Sequence, residues 1–261
     1  MQTLYDLYAP LLTPFLSLAS DHLSTLAAAE SSTLLYLETL DALTWLQDAS
    51  SRPAVSYLAS CAVSLPLIGL TQLAQYVVYG KGSNLGPHEL GAKFKGATGH
   101  SQGVISACVI GHEYPPSSVD GIDAWEPFYE HALHGLTVLF QIGLQGSQVF
   151  PPLALPPALT ASSVENGEGV PTPMLAVTGL DLKSLEKKIS EVNGFVKAEG
   201  RDETVAVSLH NGTRAFVVTG SPKDLVGLAD GLRKGRAPAG KDQSKVRHSV
   251  PDKPEYHGAP R

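Results

Sequence analysis

At 261 residues and 27.5 kDa the chain is long enough for one good-sized core, or for a core with a small satellite domain. Hydrophobic residues at 43% against charged residues at 17% exclude an intrinsically disordered chain, and a net charge of −6 with a pI of about 5.8 excludes the basic footprint of a nucleic-acid binder. Cys61 and Cys108 lack metal-ligand spacing and offer a single pairing, so neither a metal nor a disulfide framework is expected and a reduced, cytoplasmic setting fits.

In chain order, the N-terminus shows no signal peptide, because Asp6 interrupts it early and Pro10 and Pro14 follow. Residues 4–46 carry apolar positions at helical spacing, first Leu11, Leu12, Phe15 and Leu18, then Leu34, Leu37, Leu40 and Leu43, which predicts two amphipathic helices. Pro66 opens a third, and the cluster of Gly80, Lys81, Gly82, Ser83 and Asn84 ends it. Its apolar stretch, residues 65–79, contains Thr71, Gln72 and Gln75; it reads as too short and too polar to span a bilayer, so no membrane partner is expected.

Residues 94–103 read as a short strand entering a sharp glycine turn, with a helix beginning at Val104. A loop with Pro115, Pro116 and Gly121 follows, then a helix over residues 125–149 facing inward through Phe128, Leu136, Leu139, Phe140 and Leu144. Pro151, Pro152, Pro156 and Pro157 mark a boundary. Beyond it, strands are expected over 174–177, 205–209 and 215–219 and helices over 181–192 and 222–233, with Asn211-Gly212 as the hairpin turn. This β-α-β-β-α order is a ferredoxin-like unit short of one strand.

The chemistry-bearing motif is Gly99-His100-Ser101-Gln102-Gly103, a G-x-S-x-G pattern placed between a predicted strand and a predicted helix. There the glycines permit a strained turn that lifts the serine hydroxyl clear of the chain, the Gln102 N–H forms half of an oxyanion hole, and the helix N-terminus supports developing negative charge.

Longer blocks carry a more specific resemblance. Residues 64–73 (SLPLIGLTQL), 95–103 (KGATGHSQG), 165–174 (ENGEGVPTPM), 207–220 (VSLHNGTRAFVVTG) and 234–245 (KGRAPAGKDQSK) resemble consecutive segments of the acetyltransferase domain of fungal fatty acid synthase beta subunits, and in part the starter-unit acyltransferases of fungal polyketide pathways. The resemblance implies an α/β fold: an α/β-hydrolase-like acyltransferase core over residues 1–165, an inserted and incomplete ferredoxin-like subdomain over 170–234 lacking its last strand, and an irregular tail over 235–261.

It also implies a two-step acyl transfer without a bound cofactor. Ser101 would attack the thioester of acetyl-CoA, and the phosphopantetheine thiol of an acyl carrier protein would take the acyl group, within a fatty acid synthase complex. His100 and Ile142 are the substrate-pocket candidates. Malonyl-type relatives hold a free carboxylate with an arginine-glycine pair on the helix after the turn; the matching pair here is Ile142-Gly143, which implies a monoacyl donor. Ile142 also fits a plain core position by its spacing from Leu139.

Two parts of the family pattern have no match: an initial Gly-Gly-Gln-Gly loop, and a histidine in a Pro-Phe-His-Ser-like context after a final strand. The expectation is therefore a domain truncated at both ends, and a catalytically inactive fragment is the alternative reading. His257, in Glu255-Tyr256-His257-Gly258, and His248 are poor substitutes for that base, and His22, His88, His112, His131, His134 and His210 read as structural. An esterase using Asp181 and His210 is a third reading. From Arg233 onward eight Lys/Arg face three Asp/Glu, which reads as a solvated stretch or a contact for an acidic carrier protein.

Overall fold

The computed structural model describes residues 1–116, 124–149, 155–202, 204–234 and 245–248. Gly121 of the expected loop, Pro151 and Pro152 of the expected boundary, and His257 lie outside them. The chain divides into two units, Met1–Pro151 and Pro152–Arg261.

The first unit is helical. Helix α1 (Gln2–Ala29) runs through Pro10 and Pro14 and departs from helical geometry at Tyr8, where proline sterics displace the preceding turn. Then come α2 (Ala42–Gln47), α3 (Val55–Leu58), α4 (Cys61–Gly82), α5 (Pro87–Gly91), α6 (Gly103–Ile110) and α7 (Glu126–Val149). Its core lies between α1, α4 and α7, where Phe15, Phe128 and Phe140 are fully buried, each contributing roughly 1.5–3 kcal/mol through burial. Gly69 lets α4 approach α7 closely, since a Cβ there would overlap the Leu139 side chain.

Three expectations for this unit are corrected. The second amphipathic helix is not continuous: a 3₁₀ turn occupies Ser31–Thr33, Leu34 adopts φ 57° and helix resumes only at α2. Leu34 and Leu37 are 74% exposed while Leu40 is buried. The start is set by Asp41, whose carboxylate accepts the Thr44 N–H at 3.0 Å. Helix α4 begins at Cys61, five residues before Pro66, and so is 22 residues long. By length and apolarity α4 could cross a membrane, yet 56% of its most apolar window is buried within the protein. Pro66 cannot donate to the Ala62 carbonyl, and the buried Tyr36 hydroxyl lies 3.5 Å from that oxygen.

The third correction concerns the segment before Ser101. It forms no strand, and residues 91–98 are all exposed. A strand exists only by pairing, and among the described residues of this unit no strand is available to pair with.

The second unit contains α8 (Pro157–Glu165), β1 (Met174–Thr178), α9 (Leu182–Ala198), β2 (Ala206–Gly212), β3 (Ala215–Thr219), α10 (Pro222–Lys234) and β4 (Lys245–His248). The sheet order is β2-β3-β1-β4, with every pair antiparallel. Leu175, Val177, Phe216 and Val218 of the sheet pack against Leu185, Leu225, Leu228 and Leu232 of α9 and α10. The Asp181 carboxylate caps α9, accepting from Ser184 N and Oγ, and Arg201 makes a two-pronged pair with the buried Asp224 in the first turn of α10 at 2.7 and 2.9 Å.

Two further corrections follow. The ferredoxin-like unit does not lack its last strand: Lys245–His248, within the stretch expected to be irregular, pairs with Leu175–Thr178 and covers the free edge of β1. With three of its four residues basic or histidine, β4 shows no apolar alternation, as is usual for a short strand closing a sheet edge. The hairpin turn lies at Thr213-Arg214, with Asn211 and Gly212 inside β2 and register shifts at Val207/Leu209 and His210/Gly212.

Candidate active site

Ser101 takes a left-handed backbone conformation, φ 54°, immediately before α6. A non-glycine residue there is strained, and a strained residue that ends in an exposed hydroxyl is the kind of feature that accompanies function. The turn is closed by Gly103 N–H to His100 O at 3.0 Å and Val104 N–H to Ser101 O at 3.1 Å. The first glycine is sterically required: a Cβ on Gly99 would overlap the Gly103 carbonyl and lie 2.5 Å from Val104 N. The second meets nothing closer than Gln72 Nε2, at 3.9 Å from the Cβ position.

Gln102 follows with φ −57° and ψ −23° and is the residue from which α6 starts. Among the described residues its backbone N–H has no acceptor, so it points free from the N-terminal end of a helix, where an oxyanion would be favoured. Its side-chain Oε1 is buried and likewise has no partner among them. Ser101 and His100 are exposed.

Beside the turn lies a cavity of about 580 Å³, bounded by Gln72 and Tyr76 of α4, by Phe94 and the segment through His100, and by Ser106 and Ile110 of α6. Gln72 and Ser106 join across it, the serine hydroxyl donating to Gln72 Oε1 at 2.6 Å. His100 therefore lines the cavity; Ile142 does not, and at 47% exposed on α7 it is no core residue either. Sequence reasoning missed Gln72 and Tyr76. The signal was the polar interruption of an otherwise apolar helix.

The other candidate bases have structural partners. His22 Nε2 lies 2.7 Å from Thr137 Oγ1, and burial, helped by the nearby His134, pushes its pKa down. His88 Nδ1 lies 2.8 Å from Tyr114 O, and His131 Nδ1 lies 2.9 Å from Pro127 O with its ring stacked on His112. Among the described residues no histidine is hydrogen-bonded to Ser101. The two esterase candidates are also accounted for: Asp181 is the α9 cap, held below the usual carboxylate range by the Ser184 backbone and hydroxyl hydrogen bonds, and His210 packs edge-on against Phe216. No cluster of three metal-ligating side chains occurs among the described residues.

Comparison with known proteins assigns the family. The chain is 41% identical over 246 residues to the fatty acid synthase subunit beta of Schizosaccharomyces pombe, covering 94% of this chain and 11% of that protein. With the Saccharomyces cerevisiae subunit it shares 36% identity over 247 residues, covering 94% of this chain and 12% of the other. The chain thus spans about a tenth of the length of these relatives. Among solved structures it is similar to MCAT from Streptococcus pneumoniae, at 14% identity and a TM-score of 0.45, covering 90% of this chain and 54% of that one. The family described as starter unit:ACP transacylase in aflatoxin biosynthesis matches residues 1–253, and the chain belongs to that family of acyltransferases.

Proposed function

We propose that the chain transfers an acetyl or similar short monoacyl group from a coenzyme A thioester to an acyl carrier protein through an acyl-serine at Ser101. The observation that carries this reading is the strained Ser101 at φ 54°, followed by the unengaged Gln102 N–H at the start of α6. In the first step Ser101 Oγ adds to the thioester carbonyl, its negative oxygen rests against the Gln102 N–H, and the carbon–sulfur bond breaks. The serine proton passes through a base to the departing sulfur, which leaves as free coenzyme A. In the second, the carrier protein's phosphopantetheine thiol adds to the acyl ester and Ser101 leaves with a proton restored.

The monoacyl preference rests on the resemblance alone, which puts Ile142-Gly143 where malonyl-type relatives carry an arginine-glycine pair; Ile142 lies outside the cavity beside the turn. The setting we propose is a cytoplasmic fatty acid or polyketide-starter synthase, with the carrier protein and the rest of such a complex as partners. That no histidine among the described residues is hydrogen-bonded to Ser101 favours a second reading, a slow or silent domain that binds its donor, since losing the base of a catalytic serine removes several orders of magnitude of rate.

Intact-mass analysis of the purified chain after incubation with acetyl-CoA tests this. An acetyl adduct that maps to Ser101, is absent in Ser101→Ala and is discharged by a carrier protein supports transfer; no adduct on folded protein refutes it in favour of the silent domain.

A further inference from the structure

Gln72 and Tyr76 stand one turn apart on α4, a spacing that puts two side chains on the same helix face, and both bound the cavity beside the turn, which is lined by Gly99, His100 and Gly103 though not by Ser101 itself. The Gln72 carboxamide is fixed in orientation. Its Oε1 accepts the Ser106 hydroxyl at 2.6 Å, which turns Nε2 the other way, toward the elbow, where it is the heavy atom nearest a Cβ position on Gly103. Among the described residues Nε2 has no acceptor, and it is not sealed from solvent.

Tyr76 supplies a second, independent observation. It is 8% exposed, its ring stacks on Phe128 at 5.2 Å and meets Trp125 edge-on at 5.8 Å, and its buried hydroxyl has no partner among the described residues. A buried hydroxyl without a partner is costly, and few are left so in folded proteins unless something else fills the role.

Among the described residues the cavity lining contains no Lys, Arg, Asp or Glu, His100 is its one ionisable side chain besides Tyr76, and Phe94, Ala97 and Ile110 make part of it apolar. A phosphate or carboxylate would find no lysine or arginine among the described lining residues. The complementary ligand is neutral, largely apolar, and carries an acceptor oxygen beside a donor N–H, which describes an amide in a saturated chain.

We propose that Gln72 is a positioning residue which, with Tyr76, seats an amide of the neutral pantetheine arm that presents the acyl thioester to Ser101. Gln72 Nε2 donates to the amide carbonyl, and the Tyr76 side chain forms part of the wall beside it. Ser106 holds the carboxamide in register. The proposal rests on the acyl-transfer reading, since it is the arm of that reaction's donor that occupies the cavity.

Gln72→Glu makes the test, because it keeps an oxygen for Ser106 while removing the amide donors; Gln72→Leu removes both. The readout is the rate of Ser101 acylation from S-acetyl-pantetheine divided by that from an acetyl ester without the arm. The expected result is a five- to tenfold fall in that ratio for both variants, expressed in the half-saturating donor concentration rather than the maximal rate. An equal change with both donors, or none, overturns the proposal.

If the unsubstituted chain is acylated by neither donor, the transfer reading fails by itself. The positioning role is then decided by ¹⁵N NMR titration with pantetheine: a shift of the Gln72 side-chain amide signals, identified by their loss in Gln72→Leu, supports it, and static signals overturn it.

Discussion

Replacing Gly99 by alanine tests whether the turn at Ser101 is built as described. The added methyl would overlap the carbonyl of Gly103 and sit 2.5 Å from Val104 N. Both obstacles are backbone in the first turn of α6, so neither moves aside as a flexible side chain would. Overpacking of this kind costs about 1–3 kcal/mol, and it acts on the peptide unit that orients the Gln102 N–H. Gly103→Ala adds the same methyl one turn on, where the nearest atom is Gln72 Nε2 at 3.9 Å. It should be neutral or stabilise slightly, by up to about 1 kcal/mol, because alanine loses less entropy than glycine on entering a helix.

Both tryptophans, Trp45 and Trp125, are buried in the first unit, so thermal unfolding followed by their fluorescence reports that unit alone. At about 2–4 °C per kcal/mol the two variants should differ clearly in melting temperature. Acylation of Ser101 should fall at least about a hundredfold in Gly99→Ala, given how steeply misplaced reacting groups lose rate. Equal destabilisation by the two alanines would show that crowding against α6 is not what the first glycine relieves.

Two other outcomes are expected. Ser101→Gly should exceed Ser101→Ala in stability by about 1 kcal/mol, since only glycine relieves the cost of φ 54°; equal stability in urea unfolding would mean that the turn is unstrained. Glu168 is 2% exposed and accepts from Arg233 at 2.9 Å; burial pushes its carboxyl pKa up, with Arg233 and Ser163 opposing. The folded state then holds the proton to higher pH than the unfolded one, so this group's contribution falls as pH rises from the ordinary carboxylate range through the folded value. Glu168→Gln should remove that slope and raise stability at neutral pH, measured by hydrogen exchange of β1 and β3; lower protection at pH 7 would refute it.

The features legible in the sequence are those whose cause is local. The motif from Gly99 to Gly103 announces its turn because the glycine that must lack a Cβ is only four residues from the atoms it would strike. The α7 pattern and the Asp181 cap are likewise settled within a few residues. Leu34 and Leu37 show the limit of that logic: their spacing is helical, yet Asp41 restarts the helix after them and leaves both in solvent.

Strands depend on partners. Residues 94–98 have a strand-like pattern and no strand to pair with among the described residues of their unit, whereas β4 has almost no pattern but finds the open edge of β1. The cavity depends on partners too. Gln72 and Ser106 are 34 residues apart, and nothing in either neighbourhood announces that one hydroxyl will orient one carboxamide. Sequence alone determined the turn at Ser101, because backbone sterics act over short range, and its longer blocks of resemblance determined the family. Which polar groups line the cavity beside that turn was decided by the packing of α4 against α6, since contacts between distant residues exist only once the helices are assembled.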